Sequence, residues 1–155
     1  MAFDLFRELT SLLSSLREEG IDYALCGGLA MAVHGYPRAT VDIDLLILAK
    51  DADSALAAAE SLGYAFRAQP MTFSDGDVEI RRASKIDPDT GEAIPLDFLL
   101  ITPATVGVWN DRRKVSWEAG DLWVASREGM IALKRLRGSK QDLADIEHLS
   151  GSNDG

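Results

Sequence analysis

The chain has 155 residues, about one domain's worth and long enough to bury a core without disulfide or metal staples. With 46% hydrophobic and 26% charged residues it is globular in composition, which excludes disordered and fibrous classes, and its formal charge of −9 argues against broad coating of nucleic acid or anionic membrane. A lone Cys26, with His34 and His148, excludes an internal disulfide and a cysteine-rich zinc site, so any metal must be held by carboxylates. The charge is uneven: residues 112–140 hold eight Lys and Arg against Glu118, Asp121 and Glu128, a net +5. No run approaches the ~20 apolar residues of a membrane span. Asp4, Arg7 and Glu8 break up the N-terminal apolar residues that a signal peptide would need, so a cytoplasmic location without membrane contact is expected.

Phe6, Leu9, Leu13 and Leu16, flanked by Leu5 and Leu12, recur at steps of three and four, which predicts an amphipathic helix over 3–19 ended by Gly20. Residues 21–26 read as a short strand broken by Gly27-Gly28, and 29–34 as one or two helical turns closed by Gly35-Tyr36-Pro37. The strongest strand is 41–48, apolar on both faces. Asp51 or Asp53 is placed to cap a helix reaching Leu62, with Gly63 as its stop, and a strand over 64–68 follows. Residues 78–85 and 94–101 flank the turn-rich Asp87-Pro88-Asp89-Thr90-Gly91, which predicts a β-hairpin within the central sheet. A short helix to Asp111, strands near 114–117 and 122–125, a Ser126-capped helix over 127–137 and a last helix over 140–149 complete the series. The expectation is an α/β (α+β) fold: one domain over 1–149 with a mixed central sheet flanked by helices, then a disordered tail over 150–155.

Asp42 and Asp44 lie two apart on a strand, so their side chains leave the same face about 6–7 Å apart at the backbone. That strand is apolar on both faces, and two carboxylates at its edge repel each other and resist desolvation unless a cation or strong donors meet them. Asp97 is the only charge in 94–101. If that strand lies beside 41–48, Asp97 joins Asp42 and Asp44 in a three-carboxylate cluster of the hard-oxygen kind that Mg²⁺ or Mn²⁺ prefers. The other reading of Asp97 is an ion pair with Arg81 or Arg82 across the hairpin. Cys26 reads as a small core residue, His34 as a packing or turn contact, and Trp109, Trp117 and Trp123 as core.

Gly27-Gly28 follows a strand and opens a helix, a layout in which glycine lets backbone amides approach a phosphate. Combined with Arg38-Ala39-Thr40-Val41-Asp42-Ile43-Asp44, the segment 23–48 resembles the signature of the polymerase-beta-like nucleotidyltransferase superfamily, which pairs a glycine turn with a DxD strand and a third acid nearby. The closer resemblance is to the AbiEii-like, or minimal nucleotidyltransferase, branch known from abortive-infection and type IV toxin–antitoxin systems. Arg38, Thr40, Asp42 and Asp44 match its Arg-x-Ser/Thr-x-Asp-x-Asp. Lys134 matches its helical lysine, and Asp142 and Asp145 its later Asp-x-x-Asp.

The resemblance implies a nucleotidyltransferase fold and transfer of a nucleoside monophosphate from a nucleoside triphosphate to an acceptor hydroxyl. Asp42, Asp44 and Asp97 would be metal ligands and catalytic acids holding two Mg²⁺ or Mn²⁺ ions, with Asp97 able to act as base. Gly27 and Gly28 would cradle phosphates, and Arg38, Thr40 and Lys134 would bind nucleotide. Asp142 and Asp145 either form ion pairs that lock the last helix or touch the nucleotide. The acceptor is an RNA end such as that of tRNA, a protein, or a small molecule, since antibiotic-modifying nucleotidyltransferases share the GG and DxD pattern. A toxin-like role would bring a cognate antitoxin protein as partner. The alternative is a non-catalytic nucleotide- or partner-binding module that keeps the fold.

Overall fold

A computed structural model describes residues 4–37, 39–117 and 120–151. The leucine spacing becomes helix α1, Leu5–Glu18, which buries Leu9, Leu12, Leu13 and Leu16. The Asp4 carboxylate opens it, accepting from the amides of Phe6 at 3.1 Å and Arg7 at 3.2 Å. Strand β1 (Ala24–Cys26) runs directly into α2 (Gly27–Val33), and β2 (Ile43–Ile47) is buried along its whole length. A 3₁₀ turn at Ala49–Asp51 leads to α3 (Ala52–Ser61), then come β3 (Phe66–Arg67), β4 (Met71–Phe73), β5 (Val78–Ile86) and β6 (Ala93–Leu100). The C-terminal part consists of α4 (Val106–Asn110), β7 (Arg113–Trp117), β8 (Gly120–Val124), α5 (Arg127–Arg137) and α6 (Lys140–Gly151).

The strands among the described residues form one mixed sheet in the order β3-β5-β6-β2-β1-β8-β7, with β4 also on β5. The pairs β2–β6 and β1–β8 are parallel, and the others are antiparallel. The β5–β6 hairpin forms as its turn residues imply, and it brings 94–101 beside the DxD strand. Helices flank this sheet, giving the single mixed α/β domain expected. No helix among the described residues is long and apolar enough to cross a membrane.

Several local expectations shift. The buried strand starts at Ile43, and Val41 is exposed because it lies before the ladder. Asp51 stands at the start of α3 without a side-chain capping bond, the 3₁₀ turn having already organised that end. Strand β4 was not anticipated, since Met71-Thr72-Phe73 is too short to show a period; it forms by pairing with the start of β5. Of the three tryptophans only Trp109 is core, whereas Trp123 is exposed and Trp117 packs edge-on to Phe6 with ring centres 5.0 Å apart. The last helix takes in Ser150 and Gly151, and the remainder of the expected tail lies outside the described residues.

Two polar clusters fasten helices to the sheet. Glu8 of α1 accepts from Tyr64 Oη at 2.9 Å and from Lys85 Nζ of β5 at 3.0 Å, tying the first helix across to the hairpin. Ser126 Oγ accepts from the Gly129 amide at 3.0 Å and donates to Asp111 Oδ2 at 2.7 Å, so one hydroxyl caps α5 and joins it to the end of α4. Ser126→Ala should therefore cost about 1–2 kcal/mol of stability, measured by denaturant unfolding, with the m-value unchanged.

Candidate active site

Register places the acids. Across four adjacent strands, Arg82 of β5 lies opposite Asp97 of β6, Asp97 opposite Asp44 of β2, and Asp44 opposite Cys26 of β1. Residues directly opposite on neighbouring strands share a face, so this row puts two carboxylates side by side on a sheet whose surroundings are apolar. Asp44 is 7% exposed and Asp97 2%. Asp42, one residue before β2, is half-buried and its amide reaches Thr40 Oγ1 at 3.4 Å.

The two buried acids are treated differently. Asp97 receives a bidentate ion pair from Arg82, Nε to Oδ1 at 2.7 Å and Nη2 to Oδ2 at 2.9 Å, so of the two readings open for it from sequence the structure realises the Arg82 pair while keeping Asp97 beside Asp44. Asp44 makes no hydrogen bond or ion pair among the described residues. Its carboxyl is pushed up to about 7, first by burial and then by the charges of Asp97 and Asp42, with Arg137 and Lys134 opposing. Burial likewise pushes the Cys26 thiol up, consistent with a small core residue.

The glycines have specific steric jobs. Gly27 adopts φ +70°, and a Cβ there would run into the Asp44 carboxylate, 2.7 Å from its carboxyl carbon. A Cβ on Gly28 would lie 2.7 Å from Thr40 Oγ1. The spacing from Gly-Gly to Thr40 and Asp44 is thus a packing contact: the β1–α2 turn is pressed against the segment that carries the DxD. His34 Nε2 donates to the Ala125 carbonyl at 2.8 Å, and Tyr36 stacks on His148 of α6 at 5.9 Å, which pins the chain between α2 and Thr40.

A small cleft of about 30 Å³ opens between Cys26, Gly27 and Asp44 on the sheet side and Met130, Leu133, Lys134 and Arg137 of α5. Lys134 reaches this cleft but is spoken for: it is buried, with Nζ 2.8 Å from Asp145 Oδ2 and 3.9 Å from Asp142 Oδ1. Asp142 also accepts from the Ser139 amide at 3.1 Å and hydroxyl at 2.6 Å, while Ser139 Oγ accepts from the Asp142 amide at 3.0 Å, a reciprocal cap at the start of α6. The acids of the Asp-x-x-Asp thus form the ion pairs that lock the last helix. Arg38 lies outside the described residues. Two cations matter more to the site than the sequence alone suggests: Arg82, which the sequence offers as a hairpin partner for Asp97, and Arg137, to which the sequence gives no role of its own. The three-residue step from Lys134 to Arg137 on one helix was the available signal.

Among the described residues no three His, Cys, Asp or Glu side chains form a ready ligand set, and both Asp97 oxygens face Arg82. Asp42 and Asp44 do fit a hard divalent cation, because the buried Asp44 carboxylate is repelled by Asp97 and the half-buried Asp42 and pairs with no cation among the described residues.

The fold is that of nucleotidyltransferases. The solution structure of the antibiotic-resistance factor ANT(2'')-Ia matches 96% of this chain and 83% of its own at 16% identity, with a TM-score of 0.62. ANT(2'')-Ia in complex with adenylyl-2''-tobramycin gives 17% identity, 95% and 87% coverage and a TM-score of 0.61. TM1012 from Thermotoga maritima gives 16% identity, 97% and 91% coverage and 0.56. No curated protein matches the chain. A family model described as nucleotidyl transferase AbiEii toxin, type IV TA system, spans residues 11–153, and the chain belongs to that family of nucleotidyltransferases.

The raised Asp44 carboxyl has a thermodynamic signature. Its folded value, about 7, lies above the ordinary 3.8, so the folded state binds the proton more tightly and this group's contribution to stability falls as pH rises between the two values. Asp44→Asn removes the penalty: without divalent cations it should be more stable than wild type at pH 8 by roughly 2–4 kcal/mol and melt at a higher temperature, and the gain should vanish near pH 4. Thermal melts of both proteins across that range check it.

Proposed function

We propose that the chain transfers a nucleoside monophosphate from a nucleoside triphosphate to an acceptor hydroxyl, with Mg²⁺ or Mn²⁺ held by Asp42 and Asp44. The observation that carries this reading is the buried Asp44 carboxylate, which pairs with no cation among the described residues yet sits beside Asp42 and Asp97 at a glycine turn. Bound there, two such ions would supply charge neutralisation for the triphosphate and acidify the acceptor hydroxyl. Asp42 and Asp44 would hold these ions, since bare carboxylates repel a phosphate. Asp97, aimed by Arg82 from the neighbouring strand, completes the acid set and takes the hydroxyl proton. The acceptor oxygen bonds to the α-phosphorus as the bond to pyrophosphate breaks, and pyrophosphate leaves with the electron pair. Gly27 and Gly28, lacking side chains, let backbone come close to the phosphates, while Thr40 fixes the approach to Asp42. Arg38, between them in sequence, is assigned to the nucleotide on the family pattern.

The acceptor is an RNA end, a protein hydroxyl or a small molecule. The adenylyl-tobramycin bound to ANT(2'')-Ia supports a small-molecule hydroxyl in this fold, whereas the family's description supports a type IV toxin countered by a cognate antitoxin. A cytoplasmic location, where nucleoside triphosphates are plentiful, suits either.

Incubation with each α-labelled ribonucleoside triphosphate, Mg²⁺ and total RNA, cell protein or aminoglycosides tests the activity. Wild type should label one acceptor class, EDTA should stop it, and Asp42→Asn or Asp44→Asn should lower the rate at least 10²-fold while circular dichroism stays native. Absence of transfer and of nucleotide binding in wild type would overturn the reading. In the toxin role, expression of wild type arrests growth and Asp44→Asn does not.

A further inference from the structure

A nucleoside triphosphate brings about four negative charges to a cleft already lined by Asp44 and Asp142, with Asp42 close to Asp44, so the site needs a protein cation with unused hydrogen-bonding capacity. Three basic side chains among the described residues stand around these acids. Arg82 is committed through two nitrogens to Asp97. Lys134 is buried against Asp145 and Asp142. Arg137 differs from both: it lines the cleft with Gly27 and Asp44, is exposed, and makes no hydrogen bond or ion pair among the described residues.

The fold also holds the end of α5 in place. Gly138, in the left-handed conformation at φ +67°, closes the helix by donating to the Lys134 carbonyl at 2.8 Å. From the other side Ser74 Oγ donates to the Leu136 carbonyl at 2.6 Å. Ser74 and the following Asp75 both sit at positive φ, 54° and 56°, an uncommon pair of left-handed non-glycine residues. A strained turn that docks on the residue before Arg137 fixes where the guanidinium starts from, while the side chain itself is unpaired among the described residues.

We propose that Arg137 is a phosphate-binding cation of this site, the one among the described residues that grips the triphosphate with its planar fork, and that Lys134, the family-pattern lysine, is an internal strut holding α5 to α6. This rests on the nucleotidyl-transfer reading above. A bidentate fork suits two phosphate oxygens, whereas an ammonium already shared between two carboxylates has little left to give.

Calorimetry with non-hydrolysable α,β-methylene analogues of the four nucleoside triphosphates, in Mg²⁺, tests the assignment on the full chain. For the tightest analogue, Arg137→Gln should weaken Kd at least 10-fold with an unchanged melting temperature, and Arg137→Lys should recover part of the loss. The corresponding nucleoside without phosphates should bind wild type and Arg137→Gln alike. Lys134→Met should chiefly lower the melting temperature. If Arg137→Gln binds the triphosphate as wild type does, or loses nucleoside and triphosphate equally, the assignment to the phosphates is overturned. If wild type binds none of the four analogues, it is the nucleotidyl-transfer reading that fails.

Discussion

Two carboxylates opposite each other on neighbouring buried strands set the terms for the rest of this molecule. Asp44 and Asp97 are register partners in the parallel β2–β6 pair, whose other paired positions are leucine, isoleucine and phenylalanine. Charges placed there resist desolvation and repel each other, and the surrounding structure reads as a set of responses to that repulsion. Arg82 comes across from β5 to satisfy Asp97. Gly27 gives up its side chain to make room for Asp44. The remaining unsatisfied carboxylate is the one best placed to meet something that the polypeptide does not contain.

This arrangement trades stability for capacity. A hydrophobic or amide side chain at position 44 would suit the bare fold better, yet it would remove the electrostatic demand that makes the cleft attractive to a divalent cation. The demand is focused because the neighbouring cations are not equivalent. Those paired at 2.7–2.9 Å, Arg82 and Lys134, set geometry: one orients Asp97, the other clamps α5 onto α6. Only a cation without an internal partner has its full hydrogen-bonding capacity left for a ligand, and Arg137 is placed as such a group at the helix end.

The net charge of −9 takes on a different meaning in this light. Some of the acid is spent on internal pairing, as at Asp97, Asp142 and Asp145, and some is gathered at the cleft. Basic residues in 112–140 are similarly divided. Arg112 lies over Trp109 with its guanidinium 4.0 Å from the ring centre, Arg113 pairs with Asp111 at 3.0 Å, and Lys134 is buried. A linear count of +5 overstates the charge this stretch presents to a partner.

Local patterns carried much of the architecture. The leucine spacing of α1, the Asp87 to Gly91 turn and the Ser126 cap each act within a few residues, so they were legible, whereas the hairpin's adjacency to the DxD strand is a long-range pairing that the sequence left as a condition. The Gly27-Gly28, Asp42, Asp44 and Asp97 set was legible too, because buried charge and paired glycines are conspicuous in an apolar sequence. What the sequence by itself determined was therefore the set of elements and the chemistry available at their ends. Tertiary structure decided which charges meet: that Asp97 takes Arg82 and not Arg81, that Lys134 at the cleft is held by Asp145, that Val41 and Trp123 face out, and that Arg137 has no partner among the described residues. The reason is physical. Ion pairs and exposure depend on strand register and helix docking, which are set by contacts between residues far apart in the chain, and composition cannot rank one acid partner over another until packing has put them within a few ångströms.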